Sequence, residues 1–280
     1  AADRREAEEG EAGTFRRYMP LASVFTHLNG EHPDHSIAPY PQDGTLRMPE
    51  RHAAALSVEP YQAAAEALRR RLAELPREDA WVDSLLCLLE SYTSMFPSST
   101  CAGESPDISL YDHLKTTAAI GACISEYLLS SGERNCKKRL FLEETAFRKE
   151  NAFLLYSADI SGIQKFLYTV ASDKALRSLR SRSFFLELLM EHYADELLLA
   201  CGVSRTNLLY SGGGHCYILL PNTESVKAAL SAWNQRFNAW LSEEFGVSLF
   251  LAHGWTECSG NDLTNTPAED APYEAMFRRV

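Results

Sequence analysis

The chain has 280 residues, 45% hydrophobic and 23% charged, the composition of an ordinary folded protein rather than a disordered or fibrous one. A formal net charge of -11 excludes a surface that is a nucleic-acid footprint throughout, while leaving room for a local basic patch. No apolar run approaches the roughly 20 residues that span a bilayer, the first residues are acidic rather than signal-like, and seven cysteines show neither CxxC pairing nor zinc spacing, so reduced thiols, a cytoplasmic location and no membrane partner are expected.

Up to about residue 150 the periodicity is helical. Tyr61, Ala65, Leu68, Leu72 and Leu75 recur at three- and four-residue steps, as do Trp81, Leu85, Leu88, Leu89 and Tyr92. Pro76 separates the two runs. Residues 97–107 have loop composition, and a third helix is predicted from near Asp107, with Leu110, Leu114, Thr117, Ile120, Ile124 and Leu128 on one side. Gly132 and the polar segment after it end that helix.

The pattern then changes. Ala152 to Ser157 is predicted as a strand, Gly162 to Ala171 as a helix, and Arg182 to Cys201 as a longer helix stopped by Gly202. Asn207 to Tyr210 and Cys216 to Leu220 form a hairpin around a glycine turn. Asn222 or Thr223 caps an amphipathic helix burying Val226, Leu230, Trp233, Phe237, Trp240 and Leu241, and Val247 to Trp255 is the last strand. The expected class is α+β: a helical region over 1–150, then a ferredoxin-like βαββαβ domain over 151–280, with the sheet on one side and helices on the other. Residues beyond Thr256 read as loop, and the ending at Phe277-Arg278-Arg279-Val280 as the start of another helix, so the chain is expected to be part of a longer protein.

Two turns carry the chemistry. Asp159-Ile160-Ser161-Gly162-Ile163-Gln164-Lys165 leads from a strand into a helix, and Ser211-Gly212-Gly213-Gly214-His215 joins two strands. Both are able to offer backbone N–H groups to a phosphate, with Ser161 and Lys165 beside them. Two tight turns that need glycine only for positive φ give the same pattern. Palm-type nucleotidyl-transfer sites hold two divalent ions between carboxylates. Here the first turn has Asp159 but Ser161 in place of a second acid, and the hairpin turn has none, so no two-metal centre is expected. His215 reads as a contact to base or phosphate, or as a hydrogen-bonded structural residue. Lys165, Lys174, Arg177, Arg180 and Arg182 make a local basic excess suited to nucleotide or RNA phosphates, or to a solvated helix face. His113 follows Asp112, the reverse of a His–Asp metal dipeptide, and His27, His32 and His35 cluster without regular spacing.

DISGIQKF, ALRSLRSRSFFLELL and RTNLLYSGGGHCYILLPN resemble, segment for segment, the first palm domain of the large subunit of type III CRISPR effector complexes, with subtype III-A the better match. DISLYDHLKTTAAI resembles the helix before that palm, ADRR and PLASVF the tail of the family's permuted HD nuclease domain, and GWTECSGNDL and YEAMFRRV the approach to the next module. The resemblance implies an intact subunit that cleaves single-stranded DNA through its HD domain and makes cyclic oligoadenylates from ATP when target RNA binds. It implies guide RNA, target RNA and other complex subunits as partners. The catalytic glycine-glycine-aspartate-aspartate turn belongs to a second palm, so Mg or Mn is expected only in the intact subunit and no catalytic residue in this stretch. Asp159, Ser161, Gly162, Ile163, Gln164, Lys165 and Ser211 to His215 are the implied ATP contacts. Asp3 and His113 are the implied remnant of the HD metal site. A scaffold that docks RNA or neighbouring subunits is the alternative from another class, and the missing carboxylates disfavour a stand-alone diguanylate-type cyclase.

Overall fold

The computed structural model describes residues 19–25, 35–40, 47–51, 57–77, 81–101, 104–169 and 175–280. The chain divides into two compact units, 1–115 and 116–280.

In the first unit, β1 (Leu21–Ala22), β2 (His35–Ile37) and β3 (Glu50–Arg51) form a small antiparallel sheet in that order. A helices-only reading misses it, because strands of two or three residues are too short to display an alternating pattern. Helices α1 (Val58–Glu74) and α2 (Trp81–Thr93) coincide with the two periodic runs. Tyr61 of α1 stacks edge-on against Phe96 with ring centroids 5.1 Å apart. Helix α3 (Leu110–Ser130) begins later than Asp107 because Ser109 is its cap: the Ser109 hydroxyl accepts from the Asp112 amide at 3.0 Å and donates to its carboxylate at 2.7 Å. Gly132, with φ 72°, ends it.

The division between units falls inside α3, whereas the change in sequence pattern comes near residue 150. These are different boundaries. The later part of α3 buries Ala119, Cys123 and Leu128 with sheet residues, so this helix joins the β-rich unit by packing although its sequence resembles the helices before it.

The second unit is built on β4 (Phe153–Ser161), β5 (Leu208–Gly212), β6 (His215–Pro221) and β7 (Phe250–Cys258), antiparallel in the order β5-β6-β4-β7. Between them run α5 (Ile163–Tyr168), α6 (Ala175–Ala200) and α7 (Glu224–Phe245), after the short α4 (Glu144–Phe147). This is the βαββαβ order and the 4-1-3-2 strand arrangement of a ferredoxin-like layer. Helix α6 starts well before Arg182, and α7 is capped by Thr223, whose side chain accepts from the Val226 amide. The segment after Thr256 is more regular than a loop: β7 runs on to Cys258, α8 (Gly260–Leu263) opens with a Ser259–Asp262 capping box, and α9 is Pro272–Arg279.

Both faces of the sheet carry apolar packing. Leu154, Tyr156, Ala158 and Ile160 of β4 face α6 and α7, joining Met190, Tyr193, Leu197, Leu230 and Leu241 in the larger core. Phe153 and Leu155 point the other way, into a second core with Cys123 of α3, Phe147 of α4 and Met276 of α9. The expected one-sided arrangement is therefore corrected: the face away from α6 and α7 is covered over its first half and left open over its second. All seven cysteines are unpaired, and burial pushes the thiols of Cys123, Cys201, Cys216 and Cys258 up to about 12.

Candidate functional site

The order of residues along β4 determines where the open face lies. Phe153 to Tyr156 are buried on both sides, as a continuous apolar run requires. Beyond them apolar Ala158 and Ile160 alternate with polar Ser157, Asp159 and Ser161, and the polar set points away from the helices. Ser157 was the expected strand end, but the ladder continues to Ser161, which pairs with Phe250. Asp159 thus sits in a central strand with neighbours on both sides, not in a turn.

Across the ladder, Asp159 pairs with His215 of β6 and Ala252 of β7, and Ser157 pairs with Tyr217 and Gly254. The imidazole of His215 lies along β4, with Nδ1 3.5 Å from Asp159 Oδ1 and Nε2 3.3 Å from Ser157 Oγ. The ring thus presents one nitrogen to the Asp159 carboxylate and the other to the Ser157 hydroxyl. The ring also meets Tyr217 edge-on at 4.6 Å, and Tyr217 in turn meets Phe277 of α9 at 5.2 Å. The Asp159 side chain is 52% exposed, and Tyr210 (54%) and Phe250 (56%) flank the patch as accessible aromatic rings.

The two glycine turns meet at one end of this face. The Ile160 amide donates to the Gly214 carbonyl at 2.9 Å, and a methyl added at Gly214 would stand 2.3 Å from Ile163 Cδ1. Gly213 and Gly214 both have positive φ, 63° and 87°, as a two-residue type I′ hairpin demands. Gly162 has φ 92°, and its absent side chain leaves room for the Ser248 carbonyl. The turns therefore need glycine for backbone reasons whatever else they do.

Other expected contacts go elsewhere. A bulge in β5 between Leu208 and Tyr210 shifts the alternation, so Tyr210 pairs with Tyr217 on the open side and Ser211 pairs with buried Cys216 on the helix side. The Ser211 hydroxyl donates to Glu191 of α6 at 2.7 Å, and Glu191 is held by Arg205. The Ser211 hydroxyl is thus a sheet-to-helix tie. Arg182 lies at the end of α5: its guanidinium donates to the carbonyls of Phe166 and, at 3.0 Å, Thr169, and lies 5.1 Å over the Phe166 ring. Ile163 is partly buried in the larger core, while Gln164 and Lys165 are exposed on α5, and Arg177 and Arg180 on the outer side of α6. Gly212 pairs with His215 under the Tyr210 ring. Lys174, Asp3, His27 and His32 lie outside the described residues. His35 is in β2, and His113 is in the first turn of α3, in the first unit. Ser157, Tyr210 and Phe250 belong to this candidate face, and motif reading passes over them. Their signals are a polar residue in the strand alternation and two large aromatics left uncovered.

The residues present do not fit a divalent metal pair. Among the described residues no group of three or more His, Cys, Asp or Glu is close enough to hold an ion. Asp159 is the only carboxylate that the four strands place on this face, since Glu257 pairs with Leu154 and so shares the helix side. Two clefts, one of about 650 Å³ beside Tyr127 and Arg139 and one of about 360 Å³ between α6 and α7, contain no residue of the open face. The candidate site is an open surface that needs something opposite it to enclose a ligand. Among the described residues no helix is long and apolar enough to cross a membrane.

Residues 152–280 match the family model described as Csm1 subunit domain B. Over 99% of its length the chain is 42% identical to a CRISPR system single-strand-specific deoxyribonuclease, Cas10/Csm1 (subtype III-A), from Mycobacterium tuberculosis, and it spans 36% of that relative's length. A Csm1–Csm4 cassette solved with one ATP superposes on 94% of the chain with a TM-score of 0.75 and 29% identity, the chain covering 34% of it. A Csm1–Csm4 cassette in complex with cA4 gives a TM-score of 0.74 at 28% identity over 95% of the chain and 34% of the cassette chain.

Proposed function

Because the chain belongs to the Cas10/Csm1 family of subtype III-A CRISPR systems, we propose that the open sheet face is the ATP-binding surface of a non-catalytic palm, serving target-RNA-activated synthesis of cyclic oligoadenylate. The observation that carries the reading is the set of Ser157, Asp159 and His215, polar and accessible, on an uncovered sheet face beside two touching glycine turns. Phe250 and Tyr210 supply ring surfaces on which a base can stack, and Lys165 a cation near the turn for phosphate. With one carboxylate on the face, this stretch binds nucleotide and does not join it to another.

In the intact subunit a second palm facing this surface supplies the metal-binding acids with Mg or Mn, and an HD domain cleaves single-stranded DNA. Asp3 and His113 are remnants of that HD site, incomplete without the other ligands. Guide RNA, target RNA and the other subunits of a cytoplasmic complex are the partners. Support comes from the relatives named as single-strand-specific deoxyribonucleases and from the similar cassettes solved with ATP and cA4. Calorimetry on the full chain tests the reading. ATP binds, the Asp159→Ala, His215→Ala pair weakens binding by about tenfold or more, and a chromatographic assay finds no oligoadenylate. Unchanged affinity in the pair would refute the site.

A scaffold role is favoured by a different observation. The outer side of α6 exposes Leu176 (63%), Phe184 (62%) and Leu188 (52%) alongside Arg177 and Arg180. If that surface, rather than the sheet face, is what the complex uses, Arg177→Glu with Phe184→Ser disrupts assembly while ATP binding persists.

A further inference from the structure

Antiparallel neighbours directly across a ladder hold their side chains about 5 Å apart, a spacing at which two carboxylates can share divalent ions. On this face one of the two positions is Asp159 and the other is His215. The imidazole occupies the space between the strands: Nδ1 is 3.5 Å from the carboxylate, Nε2 is 3.3 Å from Ser157, and Tyr217 supports the ring. A metal ion between these strands would have to displace the imidazole ring, and would gain one carboxylate in return. Hard cations such as magnesium and manganese need several oxygen ligands, and the strands place one carboxylate on this face.

We propose that His215 stands in for the divalent ion on this face: its imidazole lies against Asp159 where a metal would otherwise bridge two acids, so the surface excludes divalent cations and takes a nucleoside triphosphate without one. The exclusion of metal stands on the ring's position alone. The second half, concerning the triphosphate, rests on the nucleotide reading above. His215 is thereby a positioning residue that sets metal dependence, which a purely structural histidine would not do.

The test compares the full chain with His215→Asp and with His215→Asp, Asp159→Asn, first by manganese titration without nucleotide, followed by electron paramagnetic resonance. The wild type shows no manganese site that Asp159→Asn removes. His215→Asp gains one, tighter by about tenfold or more, and the added Asp159→Asn abolishes it. ATP titrations then show wild-type affinity unchanged between EDTA and magnesium, and affinity in His215→Asp rising about tenfold with magnesium. A wild-type manganese site lost in Asp159→Asn overturns the inference, as does a folded His215→Asp that gains none, or wild-type ATP binding that vanishes in EDTA. If the wild type binds no ATP at all while His215→Asp still gains manganese, the exclusion stands and the nucleotide reading falls. Should His215→Asp fail to melt cooperatively, the wild-type manganese titration against Asp159→Asn decides the question alone.

Discussion

The two faces of the four-stranded sheet share one backbone and do opposite work. Toward α6 and α7, Leu154, Tyr156, Ala158 and Ile160 are at most 2% exposed and join a continuous apolar core. On the other side of the same strand, Ser157, Asp159 and Ser161 are left uncovered after Phe153 and Leu155 have been buried by α3, α4 and α9. Apolar burial is concentrated on the first face, and accessible polar side chains at the far end of the second. Because side chains alternate, a shift of one position in register carries a residue from one role to the other, as the β5 bulge does for Ser211.

Substitutions on the two faces should therefore separate cleanly. The largest effect is expected from Leu197→Ala, a fully buried α6 side chain against the sheet: a loss of about 2–5 kcal/mol in chemical denaturation. Next comes the buried polar triangle in which the Tyr156 and Tyr193 hydroxyls both approach Asn234 Oδ1, at 2.9 Å and 2.5 Å. Desolvation drives the pKa of both phenols upward, so the hydroxyls stay neutral donors, and Tyr193→Phe is expected to cost about 1–3 kcal/mol. Equal stability of that variant and the wild type would show the triangle to be dispensable.

On the open face the readout changes. His215→Ala is expected to keep the melting midpoint within the range of ordinary surface substitutions, about 0.5 kcal/mol, while weakening ATP binding by about tenfold. Ser211→Ala is the reverse case: a stability loss of about 1 kcal/mol from the broken tie to Glu191, with ATP affinity unchanged. A drop in ATP affinity on Ser211→Ala would place Ser211 back among the ligand contacts.

The smallest effect lies at the helix-side rim, where Lys227 Nζ is 2.8 Å from Glu257. That hydrogen bond holds the Glu257 carboxyl below the usual carboxylate range. A depressed folded-state pKa contributes stability that is present above the unfolded value of about 4.3 and is lost as the pH falls through the folded one. Both groups are partly exposed, so the contribution is under about 1 kcal/mol, and Lys227→Met should flatten that part of the acid limb in pH-dependent melting.

Much of this was legible before any coordinates. The βαββαβ order followed from apolar periods and glycine stops, and the two glycine turns were recognisable as neighbours once the strands were ordered. The alternation Ser157-Ala158-Asp159-Ile160-Ser161 also carries the open face in plain form, although the motif around Gly162 reads more readily as a turn. What is local in sequence was readable: the cap at Thr223, the Gly213-Gly214 turn, and the absence of a second carboxylate from the hairpin turn.

Three things were decided only by the assembled fold. The bulge that turns Ser211 toward α6 depends on how β5 registers against β6, and no single strand encodes a pairing. The role of Arg182 depends on α5 folding back within reach of its guanidinium. The pairing of His215 with Asp159, 56 positions apart in the chain, arises because β6 is inserted between β4 and β5, and side-chain contact across a ladder is a property of the sheet as a whole. Composition and periodicity determine which residues want burial. Register determines which of the remainder come face to face, because hydrogen-bonded strands fix side-chain positions to within one residue and alternate them between two surfaces.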